Sequence, residues 1–170
     1  MSHGGARDRA APHGDGGGPA RSALLRLGGE RVYEGRLVEV RIERFRHDDG
    51  EEVVREVVHH EGAVGVLAVD ESYVWLVRQP REAVLEGALL EIPAGRLDKV
   101  GEEPLAAARR ELAEEIGRGA RSWDPILSYY SSAGFTDERV HLFLARDLYE
   151  ESAESGEDER IEVVLAASAP

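Results

Sequence analysis

A chain of 170 residues, 42% of them hydrophobic, has the length and composition of one globular domain with a sizeable core. A formal net charge of −13 argues against nucleic acid as a partner, since phosphate backbones need basic patches, and an anionic small molecule would need cations or local arginines. With no cysteine there is no disulfide, thiolate metal site or cysteine nucleophile, in keeping with a reducing cytoplasm, and no apolar run reaches a membrane span or forms the core of a signal peptide.

Residues 1–22 hold six of the 19 glycines and almost nothing large and apolar, so a disordered tail is expected. His3, His13 and His47 show no metal-ligand spacing. Residues 23–60 then read as a strand-rich lobe, in which Val38, Val40 and Ile42 alternate with charged residues. EEVVREVV, GAVGVLAV and YVWLVRQ predict further strands, with Asp70-Glu71-Ser72 as a tight turn between the last two. ALLEIPAG is a short strand running into a glycine loop. Beyond the helix described next, SWDPILSYY, ERVHLFLARDL and IEVVLA are strand candidates. One prominent helix on a mixed sheet makes an α+β protein, with 61–170 as its main domain.

The helix begins at Pro104, where a missing N–H costs nothing, and stops before Gly117, a residue suited to the left-handed position past the end. At about 100° per residue, Leu105, Ala108, Leu112 and Ile116 share an arc of roughly 80°, a core-facing stripe. Glu111, Glu114 and Glu115 share a separate arc of roughly 100°. Like charges three and four residues apart repel. Such a cluster is either a solvated acidic face or a set of hard oxygen ligands for Mg²⁺ or Mn²⁺.

The order GRLDKVGEEPLAAARRELAEEIG, residues 95–117, resembles the Nudix box. Gly95, Glu102, Arg110, Glu111, Leu112, Glu114, Glu115 and Gly117 take the box positions. Six residues rather than five separate Gly95 from Glu102, and Arg118 stands where an aliphatic residue is usual. The first departure lies before the helix and leaves the glutamate spacing intact; the second is expected to alter packing rather than chemistry.

VRQPREAV, LLEIPAG and SSAGFTDERVHLFLA resemble one Nudix branch, the ADP-ribose pyrophosphatases. The resemblance covers about residues 30–166. It implies an α/β/α sandwich with a mixed sheet, plus a small antiparallel N-terminal lobe that pairs two subunits and helps build the adenine site. Arg81 would lie near the substrate phosphates, or else in solvent at a strand end. Phe135 and Thr136 would line the ribose end of the pocket, or else form a packed turn. Arg36 and Glu91 join the expected substrate-binding set, and Tyr33 would either face adenine or, as the favoured reading, be a core or interface tyrosine. Seven acidic residues lie from Glu150 to Glu162; one of them, with Glu157 the best match and Glu159 and Glu154 behind it, would serve as extra metal ligand or base. In that branch a helix usually follows the last strand, whereas this sequence ends at LAASAP.

The resemblance therefore implies a homodimeric, cytoplasmic hydrolase of a nucleoside diphosphate derivative. ADP-ribose is the expected substrate, split to AMP and ribose 5-phosphate with two or three Mg²⁺ or Mn²⁺ ions. Glu111, Glu114, Glu115 and the Ala94 carbonyl are the expected metal ligands, with Arg110 salt-bridged to Glu102 to fix helix against loop. Two alternatives stay open: another group in place of ribose, and a non-catalytic nucleotide sensor, which would typically have lost the box glutamates.

Overall fold

A computed structural model describes residues 23–153 and 160–167. Among them are ten strands, one α-helix and one short 3-10 turn at Glu82–Val84. The N-terminal lobe is a three-stranded antiparallel sheet of β1 (Leu25–Glu34), β2 (Glu39–Arg46) and β3 (Glu52–His59). In β2 the most covered residue is charged: Glu43 is 2% exposed, while Val40 and Ile42 are half-buried. Arg26 of β1 holds the Glu43 carboxylate in a two-pronged ion pair, and Arg41 lies alongside it. The long arginine stems cover apolar surface while their heads satisfy the charge.

The main sheet has the order β10-β5-β4-β9-β8, where β4 is Ala63–Val69, β5 Tyr73–Arg81, β8 Arg118–Tyr130, β9 Arg139–Glu150 and β10 Glu162–Ala167. Its one parallel pair joins β4 to β9, Ala63–Ala68 against Val140–Ala145. The β4–β5 turn is closed by Asp70, whose Oδ1 accepts the N–H groups of Ser72 at 2.9 Å and Tyr73 at 2.8 Å. β4 and β5 then pair only at Ala68–Trp75 and Val69–Val74 before they splay. Into the fork come β6 (Glu86–Glu91), beside β5, and β7 (Ala94–Arg96), beside β4. Pro93 is fully buried there, and its carbonyl accepts the Val66 N–H at 2.8 Å. This fork delivers the chain to the helix, so the loop glycine and the helix glutamates meet beside a fixed strand.

Helix α1 (Pro104–Ile116) follows the predicted stripe. Ala108 and Leu112 are fully buried and Ile116 nearly so, against Val64, Val66 and Ala68 of β4, Val77 of β5, and Phe143 and Ala145 of β9. Burying one such leucine contributes about 1.5–3 kcal/mol. Ala107 and Ala113 are buried as well, so the covered arc is wider than the stripe alone. Gly117 ends the helix in the left-handed conformation with its N–H on the Ala113 carbonyl. β8 starts directly at Arg118, earlier than the SWDPILSYY pattern implies, and the Arg118 guanidinium lies 4.7 Å from the Trp75 ring centre.

The lobe is tied to the main sheet by the turn after β8. Val58 donates its N–H to the Phe135 carbonyl at 2.7 Å, and the Val58 carbonyl accepts from Thr136 Oγ1 at 2.8 Å and the Asp137 N–H at 3.2 Å. Asp137 also accepts the His60 N–H at 3.0 Å. No helix among the described residues is long and apolar enough to cross a membrane.

Candidate active site

The glutamate face of α1 is turned into the protein, not out to bulk water. Glu111 is 8% exposed and Glu114 and Glu115 are half-buried. All three line one cleft of about 660 Å³ with Ala94, Gly95 and Arg96 of β7, Arg81 of β5, and Asp98 and Lys99 of the following loop. Gly95 makes the close approach possible: a Cβ at this position would overlap the Glu111 carboxyl. Glycine is needed here for space.

Arg110 is the organising cation. Its Nε and Nη2 donate to the two Glu102 oxygens at 3.1 and 3.0 Å, a bidentate grip on the loop before the helix. Its Nη1 donates to Glu111 at 2.6 Å and to Glu114 at 3.1 Å. The Glu102 hydrogen bond, with Glu111 and Glu114 adding to it, raises the arginine above its already high ordinary range. The same bond holds the Glu102 carboxyl below the usual carboxylate value. The extra loop residue is absorbed in a turn closed by the Glu102 N–H on the Lys99 carbonyl at 3.0 Å, so it leaves this grip intact.

Glu115 faces the loop as well, its Oε2 accepting the Ala94 N–H at 3.0 Å. Among the described residues no three acidic or histidine side chains already converge as a closed metal site. The reason is visible: Glu111 and Glu114 are turned toward Arg110, and Glu115 toward the Ala94 amide. The donor set nevertheless suits a hard divalent cation, with three carboxylates on one cleft wall beside Ala94 and Gly95 of β7.

The other predicted positions fall in different places. Arg81 lines the cleft, and its guanidinium pairs with Glu91 at 2.9 Å. Glu91 is therefore directed at Arg81. Arg36 is exposed in the β1–β2 turn, next to Leu37, which lines the cleft. Tyr33 is 57% exposed on β1. Phe135, 56% exposed, and Thr136 belong to the turn that ties the lobe to the sheet, and they line a separate hollow of about 320 Å³ with Phe45, Val53 and Val57. Glu154, Glu157 and Glu159 lie outside the described residues.

Sequence reasoning did not single out His60 and Glu138, which also line the cleft. The His60 side chain is 11% exposed and its Nδ1 lies 3.3 Å from Glu138 Oε1. The Gly62 N–H donates to the same nitrogen at 3.1 Å, so in that arrangement Nδ1 is the acceptor. The available signal was positional: Glu138 follows the Gly134–Asp137 run, and His60 closes the lobe.

Comparison with known proteins agrees with this architecture. The NUDIX domain model matches residues 59–168. The chain is 45% identical over 138 residues to the ADP-ribose pyrophosphatase of Bacillus subtilis (strain 168), covering 79% of this chain and 74% of that one. It is 38% identical over 131 residues to the methanol dehydrogenase activator of Bacillus methanolicus, covering 76% and 70%. A crystal structure of an ADP compounds hydrolase superimposes with a TM-score of 0.72 at 26% identity, covering 85% of this chain and 78% of that chain. Nudix hydrolases generally use divalent metal ions, which is the chemistry that the donor set around Gly95 suits. Box residues in register, the forked mixed sheet and these matches lead to one assignment: the chain belongs to the Nudix family of hydrolases.

Proposed function

We propose that the protein hydrolyses the diphosphate linkage of ADP-ribose to AMP and ribose 5-phosphate. The observation that carries this reading is the burial of Glu111 against Gly95 in a cleft that also holds Glu114, Glu115 and Arg81. A solvated acidic face would leave these carboxylates in open water. The names of the Bacillus subtilis relative and of the superimposed hydrolase support the substrate class.

Two or three Mg²⁺ or Mn²⁺ ions, held by Glu111, Glu114, Glu115 and the Ala94 carbonyl, would supply neutralising charge to the diphosphate and acidify water. The chain's own groups do the rest. Arg81 offers N–H donors to phosphate oxygens. Arg110 keeps Glu111 and Glu114 at the cleft and anchors the helix to Glu102, an outer-layer role. Water adds to one phosphorus as the bridging P–O bond breaks, leaving two phosphomonoesters. Glu157 is the candidate to take the water proton.

We also propose a homodimer joined through the β1–β3 lobe. Support comes from Leu25, Val32, Tyr33 and Val54, each more than half exposed on the lobe, and from β1, which among the described residues is an edge strand. Light scattering of a fully active monomer would refute it. The reading carries with it a cytoplasmic location and a diffusing nucleotide as partner. The main test is a panel of nucleoside diphosphate derivatives with Mg²⁺ and product identification. ADP-ribose should be turned over fastest, to AMP and ribose 5-phosphate; preference for another derivative would move the assignment to that group, and no turnover of any would leave a binding module.

A further inference from the structure

Arg81 ends β5 at an irregularity. Cα pairing with β6 runs Val77–Glu91, Arg78–Leu90 and Gln79–Leu89, then shifts to Arg81–Glu86. Pro80 sits at the shift, and a proline cannot donate to the ladder. Bulges of this kind bend the strand and re-aim the next side chain, often beside active sites. The strand partner of Arg81 is Glu86, yet its guanidinium turns back to Glu91, which stands opposite Val77. Nε donates to Glu91 Oε2 at 2.9 Å, and Nη2 lies 2.9 Å from the same carboxylate. An arginine carries five N–H donors. Glu91 engages Nε and lies beside Nη2, and among the described residues no hydrogen bond is made by Nη1. Arg81 lines the glutamate cleft, whereas Glu91 is not among the residues that line it.

We propose that Glu91 is a positioning residue that fixes the plane of Arg81 for binding the diphosphate. The inference rests on the reading of Arg81 as the phosphate-binding arginine of the proposed hydrolysis. A flexible arginine loses rotamer freedom when it grips an anion, and a side chain already held in plane loses less. Glu91 also has an opposing effect, since a carboxylate near an anionic ligand repels it. The two effects carry opposite signs in one variant. If ordering wins, Glu91→Ala raises KM; if repulsion wins, it lowers KM.

The test is steady-state kinetics with ADP-ribose and Mg²⁺ on Glu91→Ala, Glu91→Gln, Arg81→Ala and the Glu91→Ala/Arg81→Ala double variant, with thermal melts as a fold check. Glu91→Ala should raise KM about 3- to 10-fold with kcat within about twofold. Glu91→Gln keeps the side-chain volume and one acceptor oxygen, so it should fall between Glu91→Ala and wild type and covers the case in which Glu91→Ala fails to fold. In the Arg81→Ala background the Glu91→Ala change should add nothing. An unchanged or lowered KM in both Glu91 variants, with KM raised in Arg81→Ala, would overturn the positioning role alone. So would a Glu91 effect that persists in full without Arg81. An unchanged KM in Arg81→Ala would overturn the reading of Arg81 and the positioning role together.

Discussion

Gly95 and Glu111 share one contact: the carboxyl of the helix glutamate occupies the space that a side chain on the loop glycine would need. The glutamate is thereby seated against the backbone of β7, beside the Ala94 amide that Glu115 accepts from. Gly95→Ala should push the Glu111 carboxyl aside rather than the backbone, because the overlapped atoms are the end of a flexible side chain. Turnover should fall by roughly tenfold or more, by analogy with losses when groups around a metal ligand are disturbed. The thermal midpoint should stay close to wild type. Equal activity in the two proteins would show that the contact is only packing.

Replacing the glutamates themselves should cost more. Glu111→Gln and Glu115→Gln should each cut turnover by roughly 10²-fold or more, since each removes a charged oxygen donor. Both variants should fold, because the like-charge repulsion on α1 is relieved. Mn²⁺ binding should weaken in the same variants, and excess chelator should abolish wild-type turnover. Wild-type rates in both variants would show that these carboxylates hold no catalytic metal.

Acid should destabilise the protein through its paired carboxylates. The Arg26 hydrogen bond holds buried Glu43, and the Arg110 hydrogen bond holds Glu102, below their ordinary value of 4.5. A group depressed in the folded state contributes stability above its unfolded pKa, and that contribution is lost as pH falls through the folded one. Denaturant midpoints should therefore be flat near neutrality and decline below about pH 5. Glu43→Gln should start lower at neutral pH and decline less steeply. A wild-type midpoint that is constant through the acid range would contradict the assignment.

Much of this was legible in the chain, for reasons that differ by element. The α1 stripe and its Pro104 and Gly117 ends follow from local periodicity and backbone preference, and the structure has them. The strands from Ala63 to Arg81 likewise carry their own apolar pattern. Other features depend on pairing that local pattern does not encode. The first residues of β8, Arg-Gly-Ala-Arg, have no strand signature, and they are extended because β9 lies alongside from Leu148 to Glu150. ALLEIPAG reads as one short strand, but it breaks at Ile92-Pro93 into β6 beside β5 and β7 beside β4, a split that only the fork imposes. In β2 the alternation marks Val40 and Ile42 as the inward residues, but the cross-strand pairing of Arg26 with Glu43 makes a carboxylate the buried one. At the site, the glutamates and Arg110 could be read from spacing. The cleft positions of His60 and Glu138 could not, since they come from the end of the lobe and from the turn before β9, which only the tertiary fold brings together.

Arg110 offers the sharpest separation of charge from geometry. Its five donors reach Glu102, Glu111, Glu114 and the Arg96 carbonyl at once. A lysine at this position would keep the positive charge but presents a single ammonium point, unable to span a bidentate partner on one side and two carboxylates on the other. Arg110→Lys should therefore leave long-range attraction for an anionic substrate unchanged while freeing the loop before α1. Loss of an outer-layer partner typically costs 10- to 100-fold in metal affinity or activity, so Mn²⁺ affinity and kcat should both fall into roughly that range. Glu102→Gln, which weakens the same grip from the loop side, should reproduce part of the loss. Adding it to Arg110→Lys should cost less than the two single effects combined, because both changes break one network. Full additivity of the two would show that Arg110 acts on the helix glutamates independently of the loop.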